Sequence, residues 1–177
     1  GSMATTALVN PLSAKEACEK YLKQNKDVLY IAFSSALSGS CDSAMQAADE
    51  LNRQYDNKVY VVDSKCASLG GGLLIYYANK YKKEGHSAEE TFKYTEELKN
   101  KICHYFTVND LFHLYRGGRV SKSKAVIGSV LQIKPILYTN HEGKLIPLRN
   151  AFGRKKALMG LIACMQNKIG DNKNEIV

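Results

Sequence analysis

The chain has 177 residues, of which 45% are hydrophobic and 24% charged, and its formal net charge is +8. This composition is typical of a globular protein with a buried core. No run approaches the ~18 to 20 apolar residues of a membrane span, and no signal-peptide pattern opens the chain. We therefore expect a soluble, cytoplasmic protein, with residues 1–3 (Gly-Ser-Met) as a cloning scar and start.

Cysteines and basic residues limit the classes of ligand. The five cysteines show no C-x-x-C spacing, which favours reduced thiols over zinc or disulfides, and no metal or cofactor is expected. The positive charge leaves a nucleic-acid-binding or regulatory domain as the alternative hypothesis. The segments richest in lysine and arginine, "RGGRVSKSK" and "GRKK", lack the interleaved aromatic residues that stack on bases.

The first half of the chain alternates predicted helices and strands. Helical spacing covers residues 11–25, 42–55, 71–81 and 87–102, the last opening with the capping box Ser87 and Glu90. Short apolar runs at residues 28–33 and in "KVYVVD" predict strands, and "CHYFTV" predicts a third. The β-α-β-α order indicates an α/β fold with a parallel sheet and right-handed crossovers.

The second half has a different pattern. "NDLFHLYRGG" predicts a short helix ended by glycines, and "SKSKAVIGSVL" predicts another helix. A hairpin is expected from "IKPILYT", the turn "NHEGK" and "LIPL", and a helix from "RKKALMGLIACMQNK". We expect an incomplete first α/β domain over residues 4–130 and the start of a second over 131–177. "KNEIV" reads as a strand about to enter a sheet, which indicates a fragment of a longer protein.

A serine-rich segment, "FSSALSGS", follows the first predicted strand. Strand-to-helix loops at the carboxyl ends of parallel strands are common ligand sites, because helix N-termini there favour anions. Hydroxyls of Ser34, Ser35, Ser38 and Ser40, with Gly39 permitting close backbone approach, suit a carboxylate or phosphate. Local turn and cap chemistry is the alternative explanation of the same serines.

Other motifs give weaker signals. Asp63 ends the second strand where a ligand-binding acid is common, but the glycines after it do not form a dinucleotide fingerprint. A serine hydrolase using Ser34, Ser35 or Ser121 is a further alternative, although no G-x-S-x-G elbow occurs. Residues 71–81 and "AVIGSVLQI" could form the apolar wall of a long slot behind the serine segment.

Several segments together resemble the DegV family, the bacterial fatty-acid-binding proteins that serve as the FakB subunit of fatty acid kinase. "YIAFSSALSGSCDSA" is similar to the family's S-S-x-L-S-G-T-Y-x-S-A loop. "TTALVNP", "VYVVDSKCASLGGG", "LYRGGRVSKSKAVIGSVLQIKPIL" and "GRKKAL" match further family segments in order. The family's N-terminal D-S-T strand and most of its C-terminal domain have no counterpart in these residues.

The resemblance implies a non-catalytic protein that binds a long-chain fatty acid and presents its carboxylate to a partner kinase. It implies that Thr6, Ser34 and Ser35 bind the carboxylate, that Ser38 and Gly39 shape the loop, and that Arg119 lies near the head group. The kinase catalytic subunit would dock on Arg154, Lys155 and Lys156. Under this resemblance nucleic acid is not an expected partner. Transient contact of the protein with a membrane is compatible with it.

Overall fold

The computed structural model describes residues 5–121 and 132–170. The chain divides into two compact units, Gly1–Ile102 and Cys103–Val177. The sequence boundary at residue 130 falls outside the described residues and stays a prediction. The same holds for the helix expected over "SKSKAVIGSVL", of which only Ser121 is described, and for the strand expected in "KNEIV".

Two parallel strands form the sheet of the first unit: β1 (Val28–Ala32) and β2 (Val59–Asp63). Their β-branched and aromatic residues favour extended backbone. The register pairs Val28 with Val59 and Ala32 with Asp63, so the carboxyl ends of both strands are level. The expected α/β class and parallel pairing are confirmed, and the segments that follow the two strands begin side by side.

Within residues 5–102, four α-helices accompany this sheet: α1 (Pro11–Leu22), α2 (Ser40–Gln54), α3 (Ser68–Lys83) and α4 (Ala88–Leu98). Each starts and ends within a few residues of its prediction. A short 3-10 helix, Lys99–Lys101, follows α4. The Asn10 side chain caps α1 by accepting from the Ser13 N–H at 2.8 Å. The capping box of Ser87 and Glu90 is present at the start of α4. Local capping chemistry therefore marks where α1 and α4 begin.

The core of the first unit lies where α1 and α2 pack beside the strands. One buried cluster consists of Cys18, Leu22, Ala48, Leu51 and Val59. Small buried residues on α2, Ala48 among them, allow the helix to approach its neighbours closely. Because this core anchors both β1 and α2, it fixes the two ends of the serine segment between them.

The second unit contains an antiparallel sheet in the order β3 (Tyr105–Thr107), β4 (Ile133–Thr139), β5 (Leu145–Phe152). β4 and β5 form the expected hairpin, closed by pairing of Thr139 with Leu145. Two helices complete the described part of this unit: α5 (Leu111–Arg116) and α6 (Gly153–Ile169). Both were expected from the sequence.

The third predicted strand has a different partner from the one expected. β3 pairs antiparallel with β4, with Tyr105 opposite Tyr138, rather than extending the parallel sheet of β1 and β2. The apolar pattern of "CHYFTV" predicts a strand but carries no information on its partner, which long-range packing selects. The sheet assignment of this strand was therefore wrong, while its existence is confirmed.

Over residues 5–121 and 132–170, the structure contains no helix with both the length and the apolar character needed to cross a membrane.

Candidate functional site

The serine segment forms a tight turn at the end of β1. Ser34 is fully buried, at 0% exposure, and its N–H donates to the Cys66 carbonyl at 3.0 Å. The Ser34 carbonyl in turn accepts from the N–H groups of Leu37 at 3.0 Å and Ser38 at 3.1 Å. The turn is thus held on both sides, to the segment after β2 and to itself.

Ser35 is bound to the end of β2 through Asp63. The Ser35 N–H donates to Asp63 Oδ1 at 3.1 Å, and the Ser35 hydroxyl donates to Asp63 Oδ2. Lys65 completes the group, because its Nζ lies 2.6 Å from Asp63 Oδ2 and 3.4 Å from Ser35 Oγ. Asp63, Lys65 and Ser35, here called the Asp63 cluster, lie within the first unit.

Asp63 is ionised at neutral pH. Burial opposes its charge, but hydrogen bonds from Lys65 and Ser35 outweigh burial and hold the pKa of Asp63 below its ordinary value of 3.8. Only 10% of the Asp63 side chain is exposed, against 32% of the Lys65 side chain. The cluster is therefore a partly buried ion pair whose lysine lies on the solvent side.

Lys65 and the contact between Ser35 and Asp63 were not predicted from the sequence. The predicted site contained hydroxyls and Arg119, whereas the structure places the ammonium group of Lys65 beside Ser35. A signal was available in the predicted parallel pairing. Strands that start in register also end together, so the residues after β1 and those after β2 meet.

The end of the serine segment leads into α2. Ser38 Oγ and Ser40 Oγ are hydrogen-bonded at 3.0 Å, and the Ser40 N–H donates to Ser38 Oγ at 3.2 Å. Gly39 is the N-cap residue of α2, and a Cβ there would come 3.3 Å from Leu8 Cδ2. The loop-shaping roles predicted for Ser38 and Gly39 stay predictions, and these contacts are consistent with them.

The segment that contains Thr6 runs along the same loop. The Val9 N–H donates to Ser40 Oγ at 3.0 Å, and Leu8 lies against Gly39. Thr6 itself is exposed. Its contact with a carboxylate stays a prediction.

Arg119 belongs to the second unit, in the turn after α5. It is exposed, and its guanidinium donates to the Gly117 carbonyl. Gly118 has a φ of 76°, a left-handed conformation that glycine adopts readily, so it shapes this turn as the sequence indicates. A place for Arg119 near the ligand head group stays a prediction.

Three cations open α6. Arg154, Lys155 and Lys156 are all exposed, whereas Ala157 directly after them is fully buried. Cations at a helix N-terminus interact unfavourably with the helix dipole, so helix stability does not explain the cluster. Their predicted role in docking a partner stays a prediction.

A hydrolytic role for Ser35 is disfavoured by its partner. A nucleophilic serine needs a neighbouring base that takes its proton. The Ser35 hydroxyl donates to Asp63, and the lowered pKa of that carboxylate makes it a weak base. The contact is suited to holding the hydroxyl in place rather than to activating it.

Large apolar side chains are exposed along α3. Leu69 is 87% exposed, Ile75 51% and Tyr76 48%. Exposed apolar residues grouped on one element commonly mark a binding surface. An apolar wall was expected from residues 71–81, which include Ile75 and Tyr76, and from "AVIGSVLQI", most of which lies outside the described residues.

Comparison with known proteins identifies the family. The model described as "Uncharacterised protein, DegV family" matches residues 1–177. A DegV domain-containing protein of Clostridium perfringens is 49% identical over 176 residues, which cover 99% of this chain and 60% of that protein. The chain thus spans about 60% of the length of this curated relative.

Two solved structures share the fold. A DegV lipid-binding protein from Thermotoga maritima superposes with a TM-score of 0.81 and 34% identity, over 95% of this chain and 57% of that one. The fatty acid kinase B3 protein of Streptococcus pneumoniae, loaded with linoleic acid, gives a TM-score of 0.78 and 25% identity, over 91% and 56%. With a family model that covers the whole chain and a relative at 49% identity, this chain belongs to the DegV family.

Proposed function

We propose that this protein binds a long-chain fatty acid and holds its carboxylate at the serine segment. The proposal is carried by the cluster of hydroxyl-bearing residues at the carboxyl end of β1. In this cluster Ser34 is buried and Ser35 is held by Asp63. Membership of a family with lipid-binding and linoleic-acid-loaded members supports the same ligand class.

The chemistry of the segment suits a carboxylate. Hydroxyl and N–H donors form strong hydrogen bonds with an ionised acceptor. The 15-residue helix α2 begins at Ser40, and its N-terminal dipole favours negative charge there. Exposed Leu69, Ile75 and Tyr76 on α3 offer apolar surface for an acyl chain. Polar groups at one end of an apolar surface are the arrangement that an amphiphile needs.

We further propose that the bound carboxylate is presented to a fatty acid kinase for phosphorylation. The partner kinase would supply nucleotide and metal, so this chain needs only to bind and orient the ligand. Support comes from the S. pneumoniae neighbour, which carries the name of a fatty acid kinase protein. The exposed cations Arg154, Lys155 and Lys156 provide a docking surface for such a partner.

Extraction of the purified full-length protein tests the ligand class. Denaturing extraction followed by mass spectrometry should release a long-chain fatty acid in near-stoichiometric amount. The double variant Ser34→Ala and Ser35→Ala, purified identically, should release much less. A wild-type protein that is empty and also takes up no added fatty acid would refute the proposal.

A further inference from the structure

Lys65 places a positive charge beside the hydroxyl that is proposed to hold the ligand. Its Nζ lies 3.4 Å from Ser35 Oγ and 2.6 Å from Asp63 Oδ2. An oxygen of a carboxylate bound at Ser35 would therefore lie within a few ångströms of this ammonium group. Interactions between charges at such separations are strong where a site is partly screened from water.

Ser35 and Lys65 differ in how many of their hydrogen-bond donors are already used within the Asp63 cluster. The Ser35 hydroxyl has a single hydrogen, and it is directed to Asp63. An ammonium group has three N–H donors. The contacts of Lys65 with Asp63 and Ser35 use two of them, and 32% of the Lys65 side chain is exposed. Lys65 thus retains a donor for an arriving anion, whereas Ser35 would have to release Asp63 in order to donate.

The backbone of Lys65 supplies an independent observation. Its φ is 55°, in the left-handed region that residues with a Cβ adopt at a cost. Glycine or asparagine would adopt this conformation more easily. Lys65 nevertheless adopts this conformation, and its side chain is directed back to Asp63 and Ser35.

We propose that Lys65 recognises the negative charge of the bound carboxylate and so gives the protein its preference for a free fatty acid over a neutral lipid of the same chain length. This inference rests on the proposed function and refines it: the head group is held by a cation together with hydroxyls. A purely structural role for Lys65, as the partner of Asp63, makes a different prediction. Once Asp63 is neutralised as well, loss of a purely structural Lys65 would alter the binding of an acid and of an alcohol equally.

The test compares two ligands that share one acyl chain. Dissociation constants for oleate and oleyl alcohol are measured at neutral pH with delipidated full-length protein, for wild type, Lys65→Gln and Lys65→Arg. Lys93→Gln is the matched control, because Lys93 forms an exposed ion pair with Glu89 on α4. Wild type should prefer oleate. Lys65→Gln should weaken oleate binding by about tenfold or more and change oleyl alcohol binding by less than about twofold. Lys65→Arg should retain the preference, and Lys93→Gln should behave as wild type.

A second variant removes both charges of the ion pair. Lys65→Gln leaves Asp63 unpaired and could unfold the loop, so Asp63→Asn combined with Lys65→Gln keeps the site neutral. This double variant should also show a smaller preference for oleate than wild type. The inference is wrong if either variant keeps the wild-type ratio of the two dissociation constants. Wild type that binds neither ligand would refute the proposed function itself, and the inference with it.

Discussion

The Ser35 backbone N–H and the Ser35 hydroxyl both donate to the carboxylate of Asp63, the former at 3.1 Å. The two residues are 28 positions apart and meet because β1 and β2 are parallel and end in register. Their contact joins the segment after one strand to the end of the other. The proposed head-group site is therefore fixed by the sheet rather than by the loop alone.

Removal of either central hydroxyl should weaken the binding of fatty acid. A hydrogen bond to a charged group contributes ~1.5 to 3 kcal/mol, so Ser34→Ala or Ser35→Ala should each raise the dissociation constant by roughly one to two orders of magnitude. Titration of the delipidated full-length protein with oleate measures this. Full affinity in both variants would place the head group elsewhere.

Stability should depend on pH through Asp63. Because the pKa of Asp63 is lowered in the folded state, its contribution is present above the ordinary value of 3.8 and is lost as pH falls toward the folded pKa. Asp63→Asn should lower the free energy of unfolding by ~1 to 3 kcal/mol near neutral pH. Urea denaturation at about pH 7 and about pH 3 should show the difference from wild type narrowing at the lower pH. An unchanged difference would mean that the carboxylate charge is not the source of the stabilisation.

Mutations in the proposed docking surface should affect phosphorylation without affecting the binding of fatty acid. Lys155→Glu with Lys156→Glu reverses two exposed charges in the second unit and should leave oleate affinity unchanged. Phosphorylation of the bound fatty acid by the partner kinase should fall, because charge complementarity mainly controls association.

The matched control for this pair is Lys82→Glu with Lys83→Glu, which reverses two exposed charges at the end of α3. The control should support phosphorylation at the wild-type rate. Equal losses of phosphorylation rate in the two double variants would indicate an effect of net charge rather than of a docking surface.

Close packing of α6 on β4 requires Gly160. A Cβ at this position would overlap Cδ1 of the fully buried Ile136 and come 3.2 Å from the Arg149 guanidinium. Gly160→Ala should therefore destabilise the second unit by ~1 to 3 kcal/mol, as overpacking does. Gly72→Ala is the control, because a Cβ at Gly72 meets no atom within 4 Å and lies inside α3. Thermal unfolding should show a loss for the first substitution and a neutral or small stabilising effect for the second.

Buried thiols near the site should resist alkylation. Burial raises the pKa of Cys41 to about 11 and that of Cys66 to about 11, so both remain protonated as well as covered. Cys103 is exposed. Iodoacetamide at mildly alkaline pH should label Cys103 first in the native protein, and urea should abolish the difference. Rapid labelling of Cys41 or Cys66 in the native state would indicate that the serine segment opens.

Local signals in the sequence predicted most of the elements correctly. The capping box at Ser87 and Glu90 and the glycines after α5 act through neighbouring residues, so a linear pattern contains them. The hairpin of β4 and β5 is likewise local, with its turn in "NHEGK".

Contacts between distant residues could not be predicted in the same way. The antiparallel partner of β3 lies about 30 residues away, and an apolar run does not encode which strand it joins. Lys65 reaches Ser35 through a left-handed backbone conformation that nothing in its residue type indicates. The serine segment could be identified from the sequence alone. Its contacts with Asp63 and Lys65 could be identified only from the folded structure.

A crystal structure of the full-length protein with oleate would test the central claim most directly. The account predicts elongated electron density with a forked end within hydrogen-bonding distance of Ser34 or Ser35 and close to Lys65 Nζ. Forked density elsewhere, with the serine segment occupied only by water, would contradict the proposed placement of the head group even if the ligand were a fatty acid.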